Sequence, residues 1–340
     1  MEIPRPYLIF LGDVQDQFAA KTAHGIVDWR PEHCVGQLRL PGCQAKLALP
    51  EMSIAEGISA AARTLLLGVV NPGGQLPAHW IASIVQALEA GLDVASGLHQ
   101  RLSSFPEIAA AAARHGRQLF DVRHSEQRLA VGKGVKRQGR RLLSVGTDCS
   151  SGKKYSVLAM ERAMRARGID ARFVATGQTG VLMSGRGIAI DAVPADFISG
   201  AVEWLSPDAD PEHWDLIEGQ GSLFHPSFSG VSLGLLHGAQ PDALLICHEP
   251  TRSHMRNVEA PMPGIEELIE LSLRLGRRSN PGIRPIGLAI NTKALEEAPA
   301  RQYLRKLEDQ HQIPASDPMR FGVDKLVDHL LSEFPERSRA

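Results

Sequence analysis

The sequence has little of several features that mark other classes of protein. It has only four cysteines in 340 residues and no Cys-x-x-Cys pair, which argues against a disulfide framework and against zinc, so we expect no metal ligands. The formal net charge is −1, which gives no overall attraction to nucleic acid or to an anionic membrane. No apolar run approaches the roughly 20 residues of a membrane span, and residues 1–6 lack the layout of a secretory signal. These absences predict a cytoplasmic protein that acts on small molecules.

The length and rhythm of the chain indicate two α/β domains, because 340 residues exceed one typical core. Short apolar runs alternate with helical patterns, as in parallel sheets with crossover helices. The runs cover residues 7–11, 65–70, 92–95 and 118–122, and then 142–145, 172–176, 215–218, 244–247 and 286–290. We predict one domain over residues 1–130 and a second over residues 131–340. No Gly-x-Gly-x-x-Gly follows Leu11, so hydride transfer with a nicotinamide cofactor is not expected.

A basic segment joins the two predicted domains. Residues 127–147 contain six basic residues, four glycines and no acid. Charge runs of this kind usually face water, so the segment is predicted to be a solvated linker. The alternative is that one or two of its basic side chains reach an anionic ligand.

The segment Gly146-Thr-Asp-Cys-Ser-Ser-Gly-Lys-Lys154 is typical of a phosphate-binding loop. It follows an apolar strand-like run and precedes a helical pattern. In such loops, glycines let backbone N–H groups surround a polyphosphate, while the helix dipole and a lysine add positive charge. The residues predicted to bind the cofactor are Gly146, Thr147, Cys149, Ser150, Ser151, Gly152, Lys153, Lys154 and, after a later strand, Asn291.

Two departures from the common nucleotide loop affect the predicted ligand. Five residues separate the two glycines where the common motif has four, and Lys154 occupies the place of the Ser or Thr that normally holds Mg²⁺. Ser156 could supply the hydroxyl only if the start of the helix were shifted. The loop is therefore predicted to hold a pyrophosphate without a tightly bound metal.

Other polar residues follow predicted strands, where ligands gather in open α/β sheets. Gly177-Gln-Thr-Gly180 and Glu218-Gly-Gln-Gly-Ser-Leu-Phe-His225 are polar tips rich in glycine. The predicted catalytic residues are Glu218 as general base, His225 and Asp148. The predicted substrate-binding residues are Gln178, Thr179 and Ser222.

Two resemblances carry the prediction further. The loop, together with Ile217-Glu-Gly-Gln-Gly-Ser222 and Asn291, resembles the dethiobiotin synthetase branch of phosphate-loop proteins. Over nearly the whole chain, the sequence is similar to a bacterial family long catalogued as a domain of unknown function, whose members are described as D-glutamate N-acetyltransferases. The segments that carry this second resemblance are Gly-Thr-Asp-Cys-x-x-Gly-Lys, 177–180, 191–196, Ile-Glu-Gly-Gln-Gly-Ser-Leu-x-His-Pro and 229–238.

The family resemblance implies a Rossmann-like N-terminal domain, a C-terminal domain like the P-loop NTPases and dethiobiotin synthetase, acetyl-CoA as donor, and homodimers. We therefore predict an N-acetyltransferase that acts on D-glutamate or a related D-amino acid, with the loop holding the phosphates of coenzyme A. One alternative is an ATP- and Mg²⁺-dependent ligase or kinase that acts on a small carboxylate or amine. A second alternative is a non-catalytic nucleotide-sensing module.

Overall fold

The computed structural model describes residues 1–70, 74–124 and 127–335, and the chain divides into two compact units. The first unit comprises Met1–Gln127 and Gly177–Ala192, and the second comprises Arg128–Thr176 and Val193–Ala340. The segment Gly177–Ala192 thus belongs to the first unit although it follows residue 131. The domain bounds 1–130 and 131–340 stay a prediction.

The first unit is a parallel five-stranded sheet in the order β2-β1-β3-β4-β5. All six residues of the interior strand β1 are buried, as expected for a strand that is covered on both faces. The strands are β1 Tyr7–Gly12, β2 Cys34–Arg39, β3 Thr64–Leu67, β4 Asp93–Ser96 and β5 Leu119–Asp121. The helices are α1 Lys21–Trp29, α2 Ile54–Ser59, α3 Ile81–Glu89, α4 Pro106–His115 and α6 Gln178–Ser184.

The second unit is a parallel six-stranded sheet in the order β11-β10-β9-β6-β8-β7. Its strands are β6 Arg140–Gly146, β7 Ala171–Val174, β8 Trp214–Ile217, β9 Ala243–His248, β10 Arg284–Ile290 and β11 Ala315–Ser316. Its helices are α5 Lys153–Ala166, α7 Ile198–Leu205, α8 Ser229–Ala239, α9 Ile265–Gly276, α10 Glu297–His311 and α11 Asp324–Glu333.

The strand order of the second unit determines where its ligand site lies. The chain leaves β6 toward β7 and β8 on one side and returns to β9 and β10 on the other. A crevice forms at such a switch point, outside the carboxyl ends of the strands. In the register of the sheet, Leu143 of β6 pairs with Ile217 of β8, and Gly146 pairs with Cys247 of β9. The segments that follow β6, β8 and β9 therefore emerge side by side.

The predicted parallel α/β class is confirmed in both units, and each apolar run predicted as a strand overlaps one. The solvated-linker prediction is wrong for two basic residues. Arg141 lies in β6, is 1% exposed and donates from Nε to Ser206 Oγ at 2.7 Å. Arg137 donates from Nε to Ser206 O, also at 2.7 Å. Within the described residues, every helix is too short or too polar to cross a bilayer.

Candidate functional site

The phosphate loop connects β6 to the start of α5. Two of its residues have positive φ angles, Ser150 at 54° and Gly152 at 99°. Helix α5 begins at Lys153 with no side-chain cap and no acidic residue in its first turn. The first N–H groups of this 14-residue helix thus lack the usual capping side chain at the positive end of its dipole. Such a helix start is suited to bind an anion.

Lys153 is a buried cation with neutral hydrogen-bond partners. Its side chain is 6% exposed, and Nζ donates to Asp148 O at 2.7 Å and to Ser151 Oγ at 3.4 Å. In the described part of the chain, no carboxylate lies within ion-pair distance of Nζ. Burial lowers the pKa of this amine. A phosphate group in the loop would supply the negative charge that the protonated amine lacks.

The two residues after Lys153 differ from the usual metal-holding arrangement. Lys154 Nζ lies 4.6 Å from the centroid of the Tyr155 ring, within cation–π range. Ser156 Oγ donates to Gly152 O at 3.0 Å. The hydroxyl that could have replaced the missing Ser or Thr is therefore bonded to the helix backbone.

The turn after β8 packs directly against the phosphate loop. A Cβ atom on Gly219 would lie 1.8 Å from Ser144 O and 2.9 Å from Lys153 Cδ, so a side chain has no room there. Gly219 N donates to Ser144 Oγ at 2.9 Å. The neighbouring Glu218 is buried, and its Oε2 accepts the N–H of Thr176 at 3.1 Å. The predicted base thus lies on a turn that touches Lys153.

Ser222 and His225 connect this turn to two other segments. Ser222 Oγ donates to Thr147 O in the phosphate loop at 2.9 Å. His225 is 2% exposed, with Nε2 2.9 Å from Arg256 O, while its Nδ1 accepts the N–H of Ser227 at 3.2 Å. Since Nδ1 accepts, Nε2 carries the proton and donates. Both ring nitrogens thus have backbone partners, and the catalytic role of His225 stays a prediction.

Asp148 is fully buried in the loop and connects to two arginines that the sequence analysis missed. Its Oδ2 accepts from Arg252 Nη1 at 2.6 Å and from the backbone N of Arg256 at 2.8 Å. Its Oδ1 is buried without a hydrogen-bond partner in the described part of the chain. Arg252 Nη1 also donates to Cys149 O at 3.1 Å. The only signal in the sequence was that both arginines follow β9, which lies beside β6.

Two further polar residues end neighbouring strands. His248, the last residue of β9, has its Nδ1 2.9 Å from Thr147 Oγ1. Burial lowers the pKa of His248 to about 4, so its ring is neutral at pH 7. Asn291 follows β10, and its N–H donates to His248 O at 2.8 Å. The structure thus places Asn291 next to the strand that flanks β6.

One group of side chains among residues 1–70, 74–124 and 127–335 has the composition of a metal site. A carboxylate oxygen of Asp148, Cys149 Sγ and a ring nitrogen of His225 lie within 4.8 Å of one another. The Asp148 carboxylate is already paired with Arg252, and both nitrogens of His225 are hydrogen-bonded. A metal could use Asp148 Oδ1, which has no hydrogen-bond partner in the described part of the chain, but it would have to displace a backbone partner of His225. Burial raises the pKa of Cys149, which keeps it as a thiol.

Gln178 and Thr179, predicted to bind substrate, begin helix α6 in the first unit, and both are half-buried. The other predicted site residues lie in the second unit. There the structure brings together the phosphate loop, Glu218, Ser222 and His225.

Comparisons with known proteins identify the family. A model described as "Domain of unknown function (DUF1611_C) P-loop domain" matches residues 128–327, and one described as "Domain of unknown function (DUF1611_N) Rossmann-like domain" matches residues 38–125. A protein from Tritonibacter scottomollicae named D-glutamate N-acetyltransferase is 53% identical over 329 residues, which cover 96% of this chain and 99% of that protein. A protein of the same name from Pseudoalteromonas sp is 47% identical over 331 residues, which cover 97% of this chain and 100% of that protein.

A solved structure agrees with these matches. The crystal structure of a DUF1611 family protein from Anabaena variabilis superposes with a TM-score of 0.80 at 29% identity, covering 97% of this chain and 100% of that chain. The predicted Rossmann-like and P-loop folds and the predicted family resemblance are thus confirmed. The chain belongs to the DUF1611 family, with its Rossmann-like domain followed by its P-loop domain.

Proposed function

We propose that this protein transfers an acetyl group from acetyl-CoA to the amine of D-glutamate. Two relatives that match nearly the full chain at 53% and 47% identity carry the name D-glutamate N-acetyltransferase. The observation in the structure that favours a phosphate-bearing donor is Lys153, a buried cation with neutral partners at an uncapped helix start. We propose that the phosphate loop binds the diphosphate of coenzyme A at this point.

The proposed donor explains the departures from a nucleotide loop. Transfer of an acetyl group from a thioester has no phosphoryl leaving group, so it does not need a Mg²⁺ ion on the phosphates. Lys154 replaces the metal-holding hydroxyl, and the Ser156 hydroxyl is bonded to Gly152 O. The replacement by Lys154 favours a metal-free diphosphate over ATP.

We propose that Glu218 is the general base. The ammonium group of the acceptor must lose a proton before or during attack on the thioester carbonyl, and a buried carboxylate at the carboxyl end of β8 can accept it. The bond from the Thr176 N–H to Oε2 fixes the carboxylate in place. The oxyanion that forms on the carbonyl would need aimed N–H donors, and the turn 220–222 is our candidate for them.

The proposal includes assembly and location as secondary points. The family resemblance suggests a homodimer, and we propose a cytoplasmic location. Size-exclusion chromatography with light scattering would test the first point, because a single species with the mass of one chain would contradict it.

The test separates the three classes of function. Purified protein is incubated with acetyl-CoA or with Mg-ATP and a panel of D- and L-amino acids, and free thiol, ADP and acylated product are measured. Thiol release with D-glutamate, above the level with L-glutamate or without amine, supports the proposal. ADP release without free thiol would overturn it in favour of the ligase or kinase, and neither signal would favour the sensing module.

Two variants test the proposed roles within the acetyltransferase. Glu218→Gln should lower turnover by roughly 100-fold to 10,000-fold, the usual contribution of a general base, with little change in acetyl-CoA binding. Lys153→Ala should weaken acetyl-CoA binding far more than it lowers turnover at saturation. Equal, small losses in both variants would show that the roles are wrongly assigned.

A further inference from the structure

The backbone of Arg256 is held on both sides by buried side chains. Its N–H donates to Asp148 Oδ2 at 2.8 Å, and its carbonyl oxygen accepts from His225 Nε2 at 2.9 Å. Asp148 is 0% exposed and His225 is 2% exposed. Because both anchors are buried, the position of the Arg256 backbone beside the phosphate loop is fixed.

The side chain of Arg256 keeps most of its donors available. It is exposed, and Nη1 donates to Ser150 Oγ at 2.7 Å. No ion pair of Arg256 with a carboxylate occurs among the described residues. By contrast, Arg252 uses Nε on Glu249, Nη1 on Asp148 and Cys149 O, and Nη2 on Ser150 O. A guanidinium has five N–H donors, so Arg256 can bind a further anion at the loop.

We propose that Arg256 binds the diphosphate of coenzyme A together with the phosphate loop, and that Asp148 and His225 are residues that position Arg256. This inference rests on the proposed function. A planar guanidinium binds phosphate oxygens in pairs and stays charged at any working pH, so it can neutralise a diphosphate where other loops use Mg²⁺.

The same arrangement explains why a phosphate loop contains a buried acid. An unpaired carboxylate at Asp148 would repel the diphosphate. Arg252 neutralises the carboxylate, with Nη1 2.6 Å from Asp148 Oδ2. The same oxygen accepts the N–H of Arg256 and so fixes the backbone of that residue. His225, with both nitrogens on backbone atoms, then supports the same segment from the β8 side. Neither residue needs to exchange a proton with substrate in this role.

Binding measurements with shortened ligands test the proposal. The dissociation constants of CoA, of dephospho-CoA, which lacks the 3′-phosphate, and of pantetheine, which lacks all phosphates, are measured by calorimetry. Arg256→Ala should weaken CoA and dephospho-CoA equally, by about 10- to 100-fold, the usual loss for hydrogen bonds to a charged group. Pantetheine should bind the variant as it binds the wild type. Arg256→Lys should bind CoA with an affinity between those of Arg256→Ala and the wild type. Arg278→Ala changes an exposed arginine of the same unit and should bind CoA as the wild type does.

Four results would overturn the assignment. A loss seen with CoA but absent with dephospho-CoA would place Arg256 on the 3′-phosphate. An equal loss with pantetheine would mean that Arg256 does not act on a phosphate. Unchanged binding of every ligand, or no binding of CoA to the wild type, would remove the site altogether.

The positioning roles have their own readout. His225→Ala should weaken CoA binding as Arg256→Ala does. The double variant should bind CoA little worse than either single variant, because both changes remove the same interaction of Arg256 with the diphosphate. His225→Gln retains an N–H donor and should recover part of the affinity. A His225 variant that folds, binds CoA normally and has a lower kcat would show a catalytic role instead.

The proposed function and this inference fail in different ways. If CoA binding depends on Arg256 but D-glutamate releases no thiol from acetyl-CoA, only the acetyltransferase proposal fails. If thiol release is normal while CoA binding does not depend on Arg256, only the inference fails.

Discussion

Replacing Lys153 with methionine should stabilise the ligand-free protein while strongly weakening its binding of acetyl-CoA. A buried ammonium loses its hydration at a cost of several kcal/mol, and Lys153 recovers part of this through its bonds to Asp148 O and Ser151 Oγ. Methionine has a similar length and no charge. The Asp148 carbonyl keeps a partner in the variant, because Ser151 Oγ also donates to it at 3.0 Å.

The expected gain is about 1–2 kcal/mol, within the range seen when buried charges are replaced by apolar groups. For a folded unit of about 200 residues, each kcal/mol raises the unfolding midpoint by about 2–4 °C. Thermal and urea unfolding without ligand measure the gain, and calorimetry with acetyl-CoA measures the loss of binding. Lys154→Met is the matched control, since its amine lies over the Tyr155 ring and its loss should give no stabilisation.

The reasoning is refuted if Lys153→Met unfolds at a lower temperature than Lys154→Met. That result would mean that the hydrogen bonds of Lys153 stabilise the protein by more than the desolvation of its charge costs. The buried charge would then not require an anion. A stabilised variant that still binds acetyl-CoA normally would instead show that the anion lies elsewhere.

Three other predictions concern the same unit. Gly219→Ala should lower the free energy of unfolding by about 1–3 kcal/mol, because its Cβ would overlap Ser144 O. Gly230 lies in α8 with open space around it, so Gly230→Ala should raise the free energy of unfolding by up to about 0.5 kcal/mol. Urea unfolding distinguishes the two signs. The pKa of His248 falls from 6.5 to about 4 on folding, so the unfolded chain binds more protons than the folded chain between these two pH values. About 2–3 kcal/mol of the free energy of unfolding, present above pH 6.5, should therefore be lost as the pH falls to 4. His248→Asn should flatten this part of a stability–pH curve, and an unchanged slope would assign it to other groups. Removal of divalent metals with EDTA should leave acetyl transfer unchanged in a thiol-release assay, and a loss that Mg²⁺ or Zn²⁺ restores would contradict the metal-free site.

The sequence was sufficient to predict most strands, because buried parallel strands are continuous apolar runs. β1 and β9 are buried at every residue, and both contain their predicted runs. β2, Cys34–Arg39, was not predicted, since only two of its six residues are buried and it lies at the edge of its sheet. β11 has only two residues, too few for any periodic pattern.

The phosphate loop could be located from sequence because all its parts are local: a strand, two glycines, a lysine and a helix start. Arg252 and Arg256 could not be, because they lie about 100 positions further along the chain. They reach the loop only because β9 pairs with β6, and strand order is set by packing between distant segments rather than by local pattern. The polar residues after β9 were visible in the sequence, but nothing in them indicated which strand β9 would pair with.

This dependence on strand order also changes how the acidic candidates are interpreted. From sequence, Asp148, Glu218 and His225 all had the composition of acid–base groups. In the structure, Oδ2 of Asp148 is bonded to Arg252 and Arg256, and both nitrogens of His225 are bonded to backbone atoms. A group that must exchange a proton with substrate has to give up such partners first, which costs free energy at each turnover. Glu218, buried on the turn beside Lys153 and bonded at Oε2 to the Thr176 N–H, is the carboxylate on which a general-base mechanism should be tested first.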